Sequence, residues 1–230
     1  YIVDNRQSLH FKQLFDSIKF FEFNNLHHEH ISYGTLNDSD GNPFKTRDGG
    51  TKPLGELFEE TYEYIKNINS DLEDSTIKQL ANSVLTFSDL ITNRKTDYKF
   101  DLEKFTNVNG KTGIYVQYAQ VRAKKLQQSI ALQNKEFKSL VLSEVDKQLL
   151  SKLFMFSYFL EQSSTLNEPH HLANYLYDIS NSFNQFYEYE KISEIKDVNH
   201  LSCKLYLVNL FLTTSQNVMF CLGMKPVKKM

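Results

Sequence analysis

One change of hydrophobic period constrains this fold more than any other feature. From Tyr33 to Thr51 the chain carries no apolar repeat, and the stretch holds four glycines, Pro43, Lys45 and Arg47. The residues before it read as short strand-like and helical pieces. From Pro53 onward the apolar residues recur at helical spacing almost to the end. Period-2 segments build sheets and 3.6-period segments build helices. The chain therefore has a small α/β part followed by a mainly α part.

Tyr1-Ile2-Val3-Asp4 is short, apolar and β-prone, and reads as a buried strand. Ser8 is placed to cap a helix with Leu9, Phe11, Leu14, Phe15, Ile18 and Phe21 on a broad apolar face. His30 to Leu36 alternates and reads as a second strand. Strand, helix, strand predicts a parallel pair. Ligands bind beyond the carboxyl ends of such strands. That edge holds Asp4 to Gln7 and the loop after Leu36. Beyond Pro53, Leu54, Leu57, Phe58, Tyr62 and Ile65 mark one helix. Ile77, Leu80, Ala81, Val84, Leu85 and Leu90 mark the next, after the start signal Asp74-Ser75-Thr76. Residues 93–101 form an extended connector. Longer helices follow over residues 114–134, 143–163, 169–189 and 201–222, with Gly223 as a stop. Short links between helices imply an antiparallel bundle.

The chain has 230 residues, 40% hydrophobic and 23% charged, which is enough for a substantial core. A formal net charge of -2 gives no bulk attraction to nucleic acid, so any basic surface is local. Cys203 and Cys221 read as buried thiols of a reduced compartment and lack the spacing of a zinc site. No apolar run reaches the ~20 residues that span a bilayer, and no signal peptide is visible. Opening inside a strand at Tyr1 reads as a piece of a longer chain.

Four groups of residues could carry chemistry. Lys45 and Arg47 flank Thr46 and precede Gly49-Gly50, a combination able to hold a triphosphate while backbone N–H groups approach it. It is not a P-loop, and taken alone it reads more simply as a surface connection. His27-His28-Glu29-His30 has metal-ligating side chains, but consecutive residues point apart, so a solvated turn is the plainer reading. Asp4 and Gln7 could read a small polar head group. Tyr115, Tyr118 and Arg122 share one helical face, suited either to stacking unpaired bases or to core packing. Phe183, Phe186, Tyr187 and Tyr189 pose the same choice.

Several stretches recur in order: Tyr1 to Phe11, Gly41 to Thr51, Asn93 to Asp101, Asn109 to Ala119, Glu168 to Asp178, Phe183 to Glu188 and Pro226 to Met230. Together they resemble the C-terminal half of the arginyl-tRNA synthetase family, class I aminoacyl-tRNA synthetases. The resemblance implies a remnant of a Rossmann-like parallel-sheet catalytic domain over residues 1–52. A helical connector over 53–101 and an α-helical anticodon-binding domain over 102–230 would follow.

It also implies a reaction, in which ATP (with Mg2+) activates arginine to arginyl-adenylate and the arginine passes to the 3′ end of tRNA(Arg). In that reading Lys45, Thr46 and Arg47 occupy the ATP-closing signature loop, with Phe-Lys-Thr-Arg in place of Met-Ser-Lys-Ser. Gln7 matches an arginine-binding position and His10 could line the same cleft. Tyr115, Tyr118, Tyr187 and Met230 match positions near the anticodon. No resident metal, no membrane partner, a monomeric state and a cytoplasmic setting are expected. The His-x-Gly-His motif that such enzymes carry upstream is not in these residues, so this piece alone is expected to be inactive. A non-catalytic tRNA- or protein-binding helical module is the alternative, and a plain helical scaffold a third reading.

Overall fold

The computed structural model describes residues 1–23, 26–37, 53–130 and 141–230. Two compact units emerge. The first gathers the described residues up to Asn37 with Thr92–Asp101, and the second comprises the described residues of Pro53–Ile91 and Leu102–Met230. The signature loop with Lys45, Thr46 and Arg47 lies outside the described residues.

In the first unit, β1 (Ile2–Asp4) pairs in parallel with β2 (Ile31–Tyr33), in register Ile2 to Ile31. Between them runs α1 (Ser8–Phe20), entered through a 3-10 turn at Asn5–Gln7. This is the parallel crossover expected from the strand–helix–strand pattern. The strand read over His30 to Leu36 is interrupted, and β3 (Leu36–Asn37) pairs in parallel with β4 (Tyr98–Lys99) in a second small sheet. Gly34 explains the interruption. Its N–H donates to the Arg94 carbonyl at 2.7 Å, and a Cβ there would lie 2.7 Å from the Thr96 carbonyl carbon. The 94–97 segment can press against the strand only where there is no side chain. β1 is less buried than its composition suggests, with Ile2 72% exposed. Among the described residues it has one neighbouring strand, so one edge and part of one face stay open.

The second unit is helical. Its elements are α2 (Leu54–Ile68), α3 (Asp74–Leu90), the single turn α4 (Leu102–Phe105), α5 (Gly113–Ser129), α6 (Glu144–Phe154), α7 (Phe156–Leu166), α8 (His170–Tyr189) and α9 (Val198–Cys221). Two apolar clusters hold it. The larger gathers Leu149, Leu176, Phe183, Phe186, Phe211 and Met219 among others, with Phe183 and Phe211 stacked at 4.2 Å. The smaller joins Ile65, Ile77, Leu80, Val84, Ile114, Val121 and Val227. The side chains of Phe183 and Phe186 are wholly buried core residues, while Tyr187 and Tyr189 are 37% and 60% exposed. Cys203 is buried, but Cys221 is exposed, because it ends α9 on the face turned from the core.

Three local devices fix α5. Thr112 caps it, accepting from the Tyr115 N–H at 3.1 Å. Gly113 follows, and a Cβ there would fall 2.1 Å from the Ser83 carbonyl oxygen, so α3 and α5 touch backbone to backbone. Gln117 is fully buried: its amide nitrogen donates to the Ser83 hydroxyl and the Lys225 carbonyl, both at 2.8 Å, and its oxygen accepts from the Val227 N–H at 2.9 Å. The C-terminal tail is thereby tied to α3 and α5.

The segment read as one helix over 143–163 is two, α6 and α7, broken at Met155 without a glycine or proline. Buried Tyr175 donates its hydroxyl to the Leu153 carbonyl at 3.1 Å, at the point where the α6 ladder ends. At its other end α6 begins with a reciprocal capping box between Ser143 and Asp146. The Asp146 carboxylate also accepts from Lys204 Nζ at 2.8 and 2.9 Å, both side chains being buried. Among the described residues no helix is long and apolar enough to cross a membrane.

Candidate nucleic-acid interface

The seam where α5 lies beside α8 brings aromatic rings and cations together. Tyr118 and Arg122 stand one turn apart on α5, and Tyr187 faces them from α8. The Arg122 guanidinium carbon lies 4.3 Å from the Tyr118 ring centre and 5.1 Å from that of Tyr187. Its Nη1 donates to Asn184 Oδ1 at 3.2 Å and lies 3.4 Å from Glu188 Oε1. One cation is thus held between two rings and aimed by an amide and a carboxylate. Tyr118 and Tyr187 are each 37% exposed. Such exposed, fixed π-faces suit unpaired bases, and the guanidinium adds charge and a stacking plane.

One turn back, Tyr115 donates its hydroxyl to Asn181 Oδ1 at 3.1 Å, and its ring lies 5.2 Å from that of Tyr177. Tyr177 belongs to the quoted stretch Glu168 to Asp178 but stood out by no spacing of its own. Burial, followed by the nearby Tyr115 and Asp178, pushes its hydroxyl pKa up. Lys111 Nζ sits over the Tyr177 ring at 5.1 Å. Met230 does not join this group, since it packs against the smaller cluster around Ile65 and Val227.

In the first unit, Gln7 is exposed at the end of the 3-10 turn and His10 is exposed on α1. They follow the carboxyl end of β1. Asp4 is already engaged: it accepts from the Arg6 backbone N–H at 2.7 Å and from Nε and Nη2 at 2.9 and 2.6 Å. The Arg6 side-chain and backbone hydrogen bonds hold its carboxyl below the usual range. Arg6, skipped by the sequence reading, is therefore what Asp4 serves.

The histidines of 27–30 do not share a target. His30 meets the Val3 carbonyl at 3.0 Å and stacks on Phe11, while His28 faces Tyr1. A different group converges at the start of α8. Ligand atoms of Glu168, His170 and His171 lie within 4.8 Å of one another, with His171 Nε2 3.4 Å from the Glu168 carboxylate. A cation could be shared there, and an ion pair between Glu168 and a protonated His171 uses the same approach.

Comparison with known proteins bears on both units. Residues 1–102 match the family described as tRNA synthetases class I (R), catalytic domain, and residues 116–230 match the DALR anticodon binding domain. An arginine–tRNA ligase of Francisella tularensis subsp. novicida is 39% identical over 208 residues, covering 86% of this chain and 36% of that protein. One from Alcanivorax borkumensis is 33% identical over 244 residues, covering all of this chain and 41% of that protein. The chain therefore spans about two fifths of the length of these relatives.

Two solved structures share the fold over the whole chain. They are arginyl-tRNA synthetase from Thermus thermophilus (TM-score 0.87, 22% identity, 40% of that chain) and from Plasmodium falciparum (TM-score 0.80, 24% identity, 41% of that chain). With its class I catalytic match ahead of a helical DALR domain, this chain belongs to the arginyl-tRNA synthetase family and corresponds to its C-terminal half.

Proposed function

We propose that the protein to which these residues belong is an arginine–tRNA ligase, which forms arginyl-adenylate from arginine and ATP and esterifies the tRNA(Arg) 3′ end. Its place is in cytoplasmic translation, as a monomer. Residues 1–52 serve as the end of the catalytic domain, 53–101 as a connector and 102–230 as the anticodon-binding domain. The observation that carries the reading is Arg122 clasped between the exposed rings of Tyr118 and Tyr187, in a chain of this family.

In this reading the α5–α8 seam takes unpaired anticodon bases. Tyr118 and Tyr187 offer the stacking faces, Arg122 the charge and Tyr115 the flank, while Met230, packed on the smaller cluster, meets the anticodon from outside the seam. Gln7, with one acceptor and two donors, meets the substrate arginine, and His10 stands one turn further along α1. Lys45 and Arg47, beside Thr46, supply positive charge at the leaving pyrophosphate of ATP and its Mg2+, where charge builds in the transition state. Adenylate formation also needs the parts of the catalytic domain outside these 230 residues, so the isolated piece binds tRNA without activating arginine.

The test is a split of two assays on the full-length enzyme. Tyr118→Ala is expected to weaken tRNA(Arg) binding by about 5- to 150-fold, the range for losing one stacked base, and to leave the melting temperature unchanged. Lys45→Ala with Arg47→Ala is expected to slow ATP–pyrophosphate exchange and leave tRNA affinity alone. Unchanged tRNA binding in Tyr118→Ala, or unchanged exchange in the double variant, would remove the corresponding half of the proposal.

A further inference from the structure

The α5–α8 seam holds a second group built like the first. Lys111 lies just ahead of the α5 cap, with its Nζ 5.1 Å over the Tyr177 ring and 3.4 Å from Asn174 Oδ1. The Asn174 amide is fixed: its Nδ2 donates to the His170 carbonyl at 2.8 Å and to the Ile91 carbonyl at 3.2 Å. That orientation turns the oxygen toward Lys111. Cation, ring and side-chain amide thus recur as Lys111, Tyr177 and Asn174, matching Arg122, Tyr187 and Asn184. Tyr115 and Asn181 stand between the two groups. Nothing in the folding of α5 requires Lys111 to be a cation. It is solvent-exposed, and its neighbour Thr112 does the capping.

We propose that Lys111, Tyr177 and Asn174 form a second RNA-contacting unit, which engages a backbone phosphate and an unpaired base of the same RNA strand that Tyr118 and Tyr187 stack. This rests on the tRNA-binding reading of the seam. Tyr177 and Tyr187 lie on one helix, about 15 Å apart along its axis at 1.5 Å per residue, which spans roughly four nucleotides at a stacked spacing of about 3.4 Å. A single loop strand therefore reaches both units. The ammonium of Lys111 moves from the ring to a phosphate, leaving the Tyr177 face for a base. Lys suits this as a compact point charge on a flexible stem, while Arg122 is held planar between its two rings. Asp178 follows Tyr177 and is exposed, so the phosphate sits on the Lys111 side.

The experiment is tRNA(Arg) binding to the full-length protein over a salt series. Lys111→Gln is expected to lower the slope of log affinity against log salt by about 1 and to weaken binding several-fold at low salt. Lys152→Gln removes the same charge from an exposed position on α6 and is expected to leave the slope alone. Tyr177→Leu is expected to weaken binding by about fivefold or more, and Tyr177→Phe to retain it, since a phenyl face stacks as well.

An unchanged slope in Lys111→Gln, or an equal loss in Lys152→Gln, overturns the second unit. So does full affinity in Tyr177→Leu, or a loss in Tyr177→Phe equal to that in Tyr177→Leu. If Tyr118→Ala still weakens binding in that case, tRNA reading by the seam survives without it. If Tyr118→Ala is silent too, both readings fall.

Discussion

Tyr118 and Tyr175 present the same side chain to opposite environments. The Tyr118 ring is an open platform with Arg122 against one side. The Tyr175 ring is buried between Phe159 at 4.9 Å and Phe156 at 6.4 Å, and burial pushes its hydroxyl pKa up. Its one polar duty is to donate to the Leu153 carbonyl. Tyr175→Phe is therefore expected to cost about 1–3 kcal/mol in urea denaturation, because it leaves a buried carbonyl without that donor. Periodicity identified Tyr115, Tyr118 and Arg122 as one helical face, and the resemblance added Tyr187. Neither could say that Arg122 lies between two rings, since that depends on where α8 passes. The fate of Phe183 and Tyr187 turned on the same fact, and four residues of spacing cannot separate a core ring from an open one.

At the scale of elements, the start of α3 at Asp74 and the stop at Gly223, with a φ of +74°, were legible. Ser8, read as a cap, is instead the first residue of α1 and donates its hydroxyl to the Asn5 carbonyl, while the caps at Thr112 and Asp197 were not read at all. The break at Met155 was not legible, because no residue there forbids a helix and the turn serves packing against α8. The α2–α3 pair gives a pH prediction. Tyr62 donates its hydroxyl to Asp74 at 2.5 Å, and Lys78 lies 2.8 Å from the same carboxylate.

Lys78 first, and Tyr62 second, hold the Asp74 pKa below its usual range, while the bond to Asp74 pushes Tyr62 up to about 12. A lowered carboxyl stabilises the fold above its unfolded pKa of ~3.9, and that contribution is lost as pH falls through the folded value. A raised phenol acts oppositely. Its contribution is present below its unfolded pKa of ~10 and lost as pH climbs through about 12. Asp74→Asn is expected to flatten both limbs of the curve of melting temperature against pH. Unaltered limbs would show that water screens these exposed groups completely.

For the whole molecule, the two-part organisation was visible in the change of period at Pro53. The parallel pairing of β1 with β2 followed from the crossover between them. Less visible was the route by which Thr92–Asp101 returns to the first unit, which depends on the close approach allowed by Gly34. Sequence pattern also gave no hint of the tail, where Val227 is 1% exposed and Gln117 accepts from its N–H.

That clamp has a kinetic meaning. It joins positions separated by 110 residues, so its loop-closure cost falls due only when most of the chain between is ordered. Contacts made after the folding barrier act on the rate of unfolding alone. Val227→Ala is thus expected to speed unfolding by about tenfold or more, the kinetic form of the ~1.5–3 kcal/mol that a buried Val contributes. Refolding should stay within about twofold, as stopped-flow chevrons would record. The docked tail then sets how long a folded copy lasts, while the helices around it set how fast one forms.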